Sequence, residues 1–123
     1  MILAMPAVLV DTSVWIDHLR SRSTRLIELL GARRALVHPF VVGELACGSL
    51  RSRNEFIGQL LVLPHTTSAS NDEAMQLLES HKLYGKGLSW VDVHLLASVT
   101  ITRCSLWSTD KALACAAEDL GLA

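Results

Sequence analysis

The sequence predicts an α/β fold in which a parallel sheet is covered on both faces by helices. Three observations predict it. Short aliphatic runs at Ala7 to Val10, Ala35 to Val37 and Ser105 to Trp107 alternate with segments of helical periodicity. The first run does not alternate apolar with polar, which is the pattern of a strand buried on both sides. Half of the 123 residues are hydrophobic but only 5% are aromatic, so the core is aliphatic, and the length suits a single domain over residues 1–123.

The elements follow in order. Ala7 to Val10 is the first strand, and Asp11-Thr12-Ser13 offers cap chemistry for a helix over Val14 to Leu19. A second helix spans Ser23 to Leu30 with Leu26, Ile27, Leu29 and Leu30, ended by Gly31. Ala35 to Val37 is a short strand, and Pro39 suits the first position of a helix running to about Gly48. Asn54 to Leu60 reads as helix, and Leu61-Val62-Leu63 as a strand stopped by Pro64. Ser70 to Tyr84 is helical, with Ala74, Leu77, Leu78 and His81 on one face. Tyr84-Gly85-Lys86-Gly87 is a loop, Ser89 to Val99 a helix and Ser105 to Trp107 a strand. A terminal helix, Lys111 to Leu120, is closed by Gly121.

Composition excludes several classes. A net charge of −1 is not that of a uniformly basic nucleic-acid binder, although Arg20, Arg22, Arg25, Arg33 and Arg34 cluster early, followed by Arg51, Arg53, Lys82 and Lys86. A mean hydropathy of +0.36 is high for so short a chain and implies apolar surface left for a second copy or another partner. Cys47, Cys104 and Cys115 are odd in number and form no C-x-x-C pair, so buried free thiols in a reducing cytoplasm are expected. The stretch from Ile2 to Val10 is too short to cross a membrane and contains Pro6. It has neither a basic leader region nor a clear cleavage site, so no signal peptide is expected, and Met5 is a second candidate start.

Four acids stand in apolar settings: Asp11 after AVLV, Glu44 in PFVVGELACGSL, Asp92 in GLSWVDVHLLAS and Asp110 after CSLWST. Each has a structural explanation of its own. Asp11 and Asp110 suit helix N-termini, Asp92 completes a capping box with Ser89, and a mid-helix Glu44 is usually solvated. Yet Asp92 shares a helical row with Leu95, Leu96 and Val99, and Glu44 shares a face with Phe40, Val41, Cys47 and Gly48. Capping requires neither arrangement. Carboxylates beside buried surface need a partner, and if the four converge the partner that serves them all is a hard divalent cation. Such sites act on phosphates.

Other constellations are weaker. The five histidines form no ligand-spaced pair with a cysteine, which excludes a zinc site, and His94 is expected at a helix surface or half-buried. Trp15, Trp90 and Trp107 lie within a turn of an acid, either as core packing or as stacking platforms for bases. An aspartyl phosphotransferase of the haloacid-dehalogenase type wants a second Asp two residues after the first, where this chain has Ser13. A receiver domain wants an acidic pair near the first strand and a late strand-end lysine, and neither is clear here.

The segments VLVDTSVWIDHLR, HPFVVGELACGSL, GLSWVDVHLLAS and LWSTDKALACAAEDLGL, in this order and over nearly the whole chain, resemble the PIN-domain family. Within it they are similar to the VapC-type toxins of bacterial and archaeal toxin–antitoxin pairs. The resemblance implies a three-layer α/β/α fold, with Asp11, Glu44, Asp92 and Asp110 binding Mg²⁺ or Mn²⁺. It also implies endoribonuclease activity, a homodimer and inhibition by a cognate VapB-like antitoxin. In that picture Asp11 and Asp92 hold an ion, Glu44 and Asp110 complete the charge, and Ser13 and Thr109 orient a water or a phosphate oxygen. The alternatives are a solitary PIN nuclease in RNA processing and a non-catalytic interaction module of the same fold. Two departures stand out. His38 occupies a corner where Ser or Thr often precedes the proline, and Ala123 comes where related domains often add an edge strand.

Overall fold

Val8–Val10 forms strand β1, and all three of its side chains are buried. Successive side chains of a strand point to opposite faces, so three buried in a row require cover on both sides. Ala35–Leu36 (β2) and Ser105–Trp107 (β3) flank β1 in parallel, in the order β2-β1-β3. Seven helices complete the computed structural model, which describes residues 6–123; the candidate start at Met5 lies outside them. They are α1 (Thr12–Arg20), α2 (Thr24–Gly31), α3 (Pro39–Ala46), α4 (Arg53–Leu61), α5 (Asn71–Ser80), α6 (Trp90–Thr102) and α7 (Lys111–Asp119). The architecture is the expected three-layer α/β one.

Topology singles out one place. The chain leaves β1 for β2 on one side, then crosses back over β1 to β3 on the other. The carboxyl end of β1 is therefore the switch point, where open parallel sheets leave a crevice. Asp11 is the residue at that end, and its N–H donates to the Trp107 carbonyl at 2.9 Å, extending the pairing with β3.

Helix α6 is the central packing element. Every residue from Val93 to Val99 is buried, and Leu95, Leu96 and Val99 have no exposed surface. Each such aliphatic side chain contributes about 1.5–3 kcal/mol relative to exposure. That is enough to dock α6 with the half-buried Asp92 at its head.

Several expected boundaries move. Leu61 ends α4, and Val62 is its exposed C-cap, so 61–63 is not a strand. Proline cannot donate at Pro64, and pairing begins one residue later. Val37 forms a parallel bridge with His65, with Val37 N–H donating to the Pro64 carbonyl and Thr66 N–H to the Val37 carbonyl, both at 3.0 Å. Helix α2 includes Gly31 and is turned by Arg33 at φ +57°, and α5 stops at Ser80 because Lys82 takes φ +51°. Helix α3 ends at Ala46, before Gly48, whereas α6 continues past Val99 to Thr102. Cys104 is buried, but Cys47, the C-cap of α3, and Cys115, midway along the outer face of α7, are exposed. Beyond β3 the Leu106 N–H donates to the Leu122 carbonyl at 2.7 Å, a single contact and not a further strand.

Candidate active site

Asp11 caps α1 from the end of β1 and is 6% exposed. Its Oδ2 accepts from Ser13 Oγ at 2.7 Å, Ser108 Oγ at 2.9 Å and the Ser13 N–H at 3.4 Å. Ser13 Oγ in turn accepts from the Thr109 N–H, and Ser108 Oγ from the Asp110 N–H, both at 3.0 Å. Thr109 Oγ1 donates to Asp17 at 3.1 Å. This network locks the loop after β3 against the start of α1, and so fixes Asp110 beside Asp11. The protons of the Ser13 and Thr109 hydroxyls are thereby taken up by carboxylates, which makes both side chains positioning groups in this arrangement.

The other three acids arrive on helices. Asp110 caps α7, its Oδ2 accepting from the Leu113 N–H at 3.0 Å. Asp92 sits in the first turn of α6 and forms the capping box with Ser89, accepting from its N–H at 3.0 Å. Burial pushes the Asp92 carboxyl above the usual carboxylate range; the Ser89 hydrogen bonds pull it down, while the charges of Asp11 and Asp110 push it up further. That mutual repulsion places the three in one electrostatic neighbourhood. Glu44, exposed on α3, is joined to them through Thr12 Oγ1, which donates to Glu44 Oε1 at 2.8 Å.

So the capping explanations hold for Asp11, Asp92 and Asp110, and yet the same three converge. They do not form a closed cage. Among the described residues no three His, Cys, Asp or Glu side chains are gathered tightly enough to hold an ion. The donor chemistry nevertheless fits a hard cation. Among the described residues, every hydrogen bond these four carboxylates accept comes from a hydroxyl or a backbone N–H, none from Lys or Arg. Each uses one oxygen, leaving Asp11 Oδ1, Glu44 Oε2, Asp92 Oδ1 and Asp110 Oδ1 without a donor among the described residues. A carboxylate anchored through one oxygen and open at the other is how ligating acids are commonly presented.

Sequence reasoning missed Thr12, Asp17 and Ser108. The only signal was position: Thr12 and Ser108 are hydroxyl neighbours of the acids, and Asp17 lies one helical turn after Ser13. His94 is a correction: it is 3% exposed, not at the surface, and neither ring nitrogen has a hydrogen-bond partner. Its ring is wedged between Phe40 and Trp90, with centroids 5.0 and 4.7 Å away. Of the three tryptophans, Trp15 is buried, Trp107 lies under the Arg25 guanidinium at 4.1 Å, and Trp90 is exposed.

Over 117 residues, 94% of either chain, the sequence is 43% identical to Ribonuclease VapC32 of Mycobacterium tuberculosis, in both strain CDC 1551 / Oshkosh and strain ATCC 25618 / H37Rv. The fold is similar to the crystal structure of PAE2754 from Pyrobaculum aerophilum, with a TM-score of 0.61 at 15% identity over 90% of this chain and 85% of that one. The PIN domain model matches residues 8–119, a span that takes in all four acids, and the chain belongs to the PIN-domain family.

Proposed function

We propose that this protein is a divalent-metal-dependent endoribonuclease, the toxin of a VapBC-like toxin–antitoxin pair. The observation that carries the reading is the set of four carboxylates at the switch point, each with one oxygen anchored by a neutral donor and one left free. The 43% identity to a protein named as a ribonuclease supports the substrate class. Metal-activated hydrolysis needs no 2′-hydroxyl, so the preference for RNA rests on that kinship.

Asp11, Glu44, Asp92 and Asp110 would hold the ion, with Mg²⁺ the expected species and Mn²⁺ a substitute. When bound, it supplies an activated water and neutralises charge on the phosphodiester. Asp11 is the rigid member, held by two serine hydroxyls. Glu44 and Asp110 are exposed, so their free oxygens can swing inward on the timescale of ordinary rotamer exchange. Ser13 and Thr109 act by fixing Asp11 and Asp17, and through them the water or phosphate oxygen at the site.

Partners follow from surface chemistry. Ile16, Leu19, Ile27, Leu61 and Val62 are exposed on α1, α2 and the end of α4. An apolar helix of a VapB-like antitoxin, carrying a basic residue toward the acids, would cover such a surface. A homodimer would share this apolar surplus, with helix 23–30, the 39–60 helices and their grooves as the candidate faces for both interfaces. No helix among the described residues is long and apolar enough to cross a membrane, and we assign the protein to the cytoplasm. The test is RNA cleavage by purified protein: it should require Mg²⁺ or Mn²⁺ and stop with a chelator. Undiminished cleavage in chelator would exclude the metal mechanism.

A further inference from the structure

We infer that the cleft between the 84–87 loop and α7 is a subsite for single-stranded RNA, in which Lys86 and Lys111 hold a backbone phosphate next to Asp110. The proposal rests on the ribonuclease reading above and assigns it a substrate contact. The cleft has a volume of about 590 Å³, within the range of sites that enclose small ligands. Its wall includes Asp110, one of the four site carboxylates.

The loop is shaped to present Lys86. Gly85 and Gly87 both take left-handed conformations, at φ +74° and +78°, which other residues adopt only with strain. A Cβ at Gly87 would lie 3.7 Å from Ala112 Cβ, so the loop runs against the first turn of α7. That brings Lys86 into the same cleft as Lys111. Asp119, the other acid in the wall, is eight residues beyond Lys111, about 12 Å along the helix. Positive charge is therefore concentrated at the end beside Asp110. Ala112, Cys115 and Ala116 line the wall between, an apolar surface suited to a ribose or a base. A phosphate held at the lysine end would lie beside Asp110, at the edge of the carboxylate site. Lysines there also offset the repulsion between an RNA strand and the four carboxylates.

The exposed Cys115 in the wall is a built-in reporter, and the exposed Cys47 on α3 is a reference within the same molecule. The test uses a fluorescein-labelled single-stranded RNA dodecamer in EDTA, with RNA integrity checked on a gel. Saturating RNA should slow alkylation of Cys115 at least about fivefold and leave Cys47 unchanged, because a strand tracking the basic groove covers the thiol in its wall. Lys86→Gln and Lys111→Gln should each lower the slope of log affinity against log salt by about 0.7, while Arg51→Gln leaves it unchanged. Equal protection of the two thiols, or unaltered slopes in both lysine variants, would overturn the subsite. Protection of Cys115 by RNA that the protein never cleaves with Mg²⁺ or Mn²⁺ would refute the nuclease reading and leave the subsite standing. Normal cleavage with both lysine variants unaltered in slope would refute the subsite alone.

Discussion

His38 does the work of the expected serine or threonine at the head of α3. Its Nδ1 accepts from the Phe40 N–H at 3.0 Å, and that assigns the proton to Nε2, which donates to Ser98 Oγ at 3.1 Å. Ser98 Oγ also accepts from the Ala69 N–H at 2.9 Å. A second proton has nowhere to go. Burial, then the charges of His94 and His65, hold the His38 imidazole down at about 4 from an ordinary 6.5. The unfolded chain therefore takes up the proton first. Stability is intact above pH 6.5 and falls as pH drops from there to about 4, by on the order of 3 kcal/mol in all. Urea melts at neutral pH and near pH 5 should show this loss, and His38→Asn, which keeps a cap without the imidazole, should flatten it. An equal pH dependence in that variant would remove His38 as the cause. At Asp11 the contrast lies between cap and ligand. Asn caps as well as Asp, so Asp11→Asn should change stability by less than about 0.5 kcal/mol while abolishing cleavage. Chemical denaturation beside an RNA cleavage assay checks both halves.

Helix ends show how far the sequence could be read. Three strands were legible from their aliphatic runs, although the similar run at 61–63 is a helix end, and the heads of α1, α5, α6 and α7 were legible from Asp11, Ser70, Ser89 and Asp110. The tails were not. Helices α2, α5 and α7 each end with the last carbonyls satisfied by two N–H groups folding back, as in Leu83 N–H to the Leu78 carbonyl at 3.0 Å. Only at α7 does glycine, Gly121 at φ +72°, fill the left-handed position; Arg33 and Lys82 fill it at the other two. A reader searching for glycine places the left-handed residue of α2 at Gly31, two before Arg33, and lets α5 run on to Tyr84. Leu83 explains why α5 must stop, because the turn buries it to 3% exposure against the core. Lys82→Gly should therefore stabilise the protein by up to about 1 kcal/mol in a thermal or urea melt, and Gly121→Ala should cost about 1 kcal/mol. A destabilised Lys82→Gly would mean that the lysine side chain itself holds the turn. The site was legible to the same degree. Its four acids stand out against apolar neighbours, but Ser108 and Thr12, which anchor two of them, are hydroxyls across the fold that no local pattern marks.

At the scale of the molecule, three parallel strands bring four distant acids to one end of the sheet, and the exposed aliphatic residues on α1, α2 and α4 leave a surface to be covered. On the proposed assignment of partners, sedimentation at micromolar concentration should show a dimer, and a VapB-like antitoxin should bind it. A monomer that binds no such antitoxin would contradict the assignment of partners. The central claim is that the carboxylates act together as a metal site. Asp92 tests it best, because burial and the charges of Asp11 and Asp110 already disfavour its ionised form. Replacing it with Asn removes a ligand and a source of repulsion together, and keeps an oxygen for the Ser89 N–H. The measurement is a thermal melt of parent and Asp92→Asn with and without Mg²⁺, run beside RNA cleavage. Mg²⁺ should raise the melting temperature of the parent and not of the variant, the metal-free variant should be at least as stable as the parent, and it should not cleave. An Asp92→Asn protein that cleaves RNA at the parental rate would contradict the account.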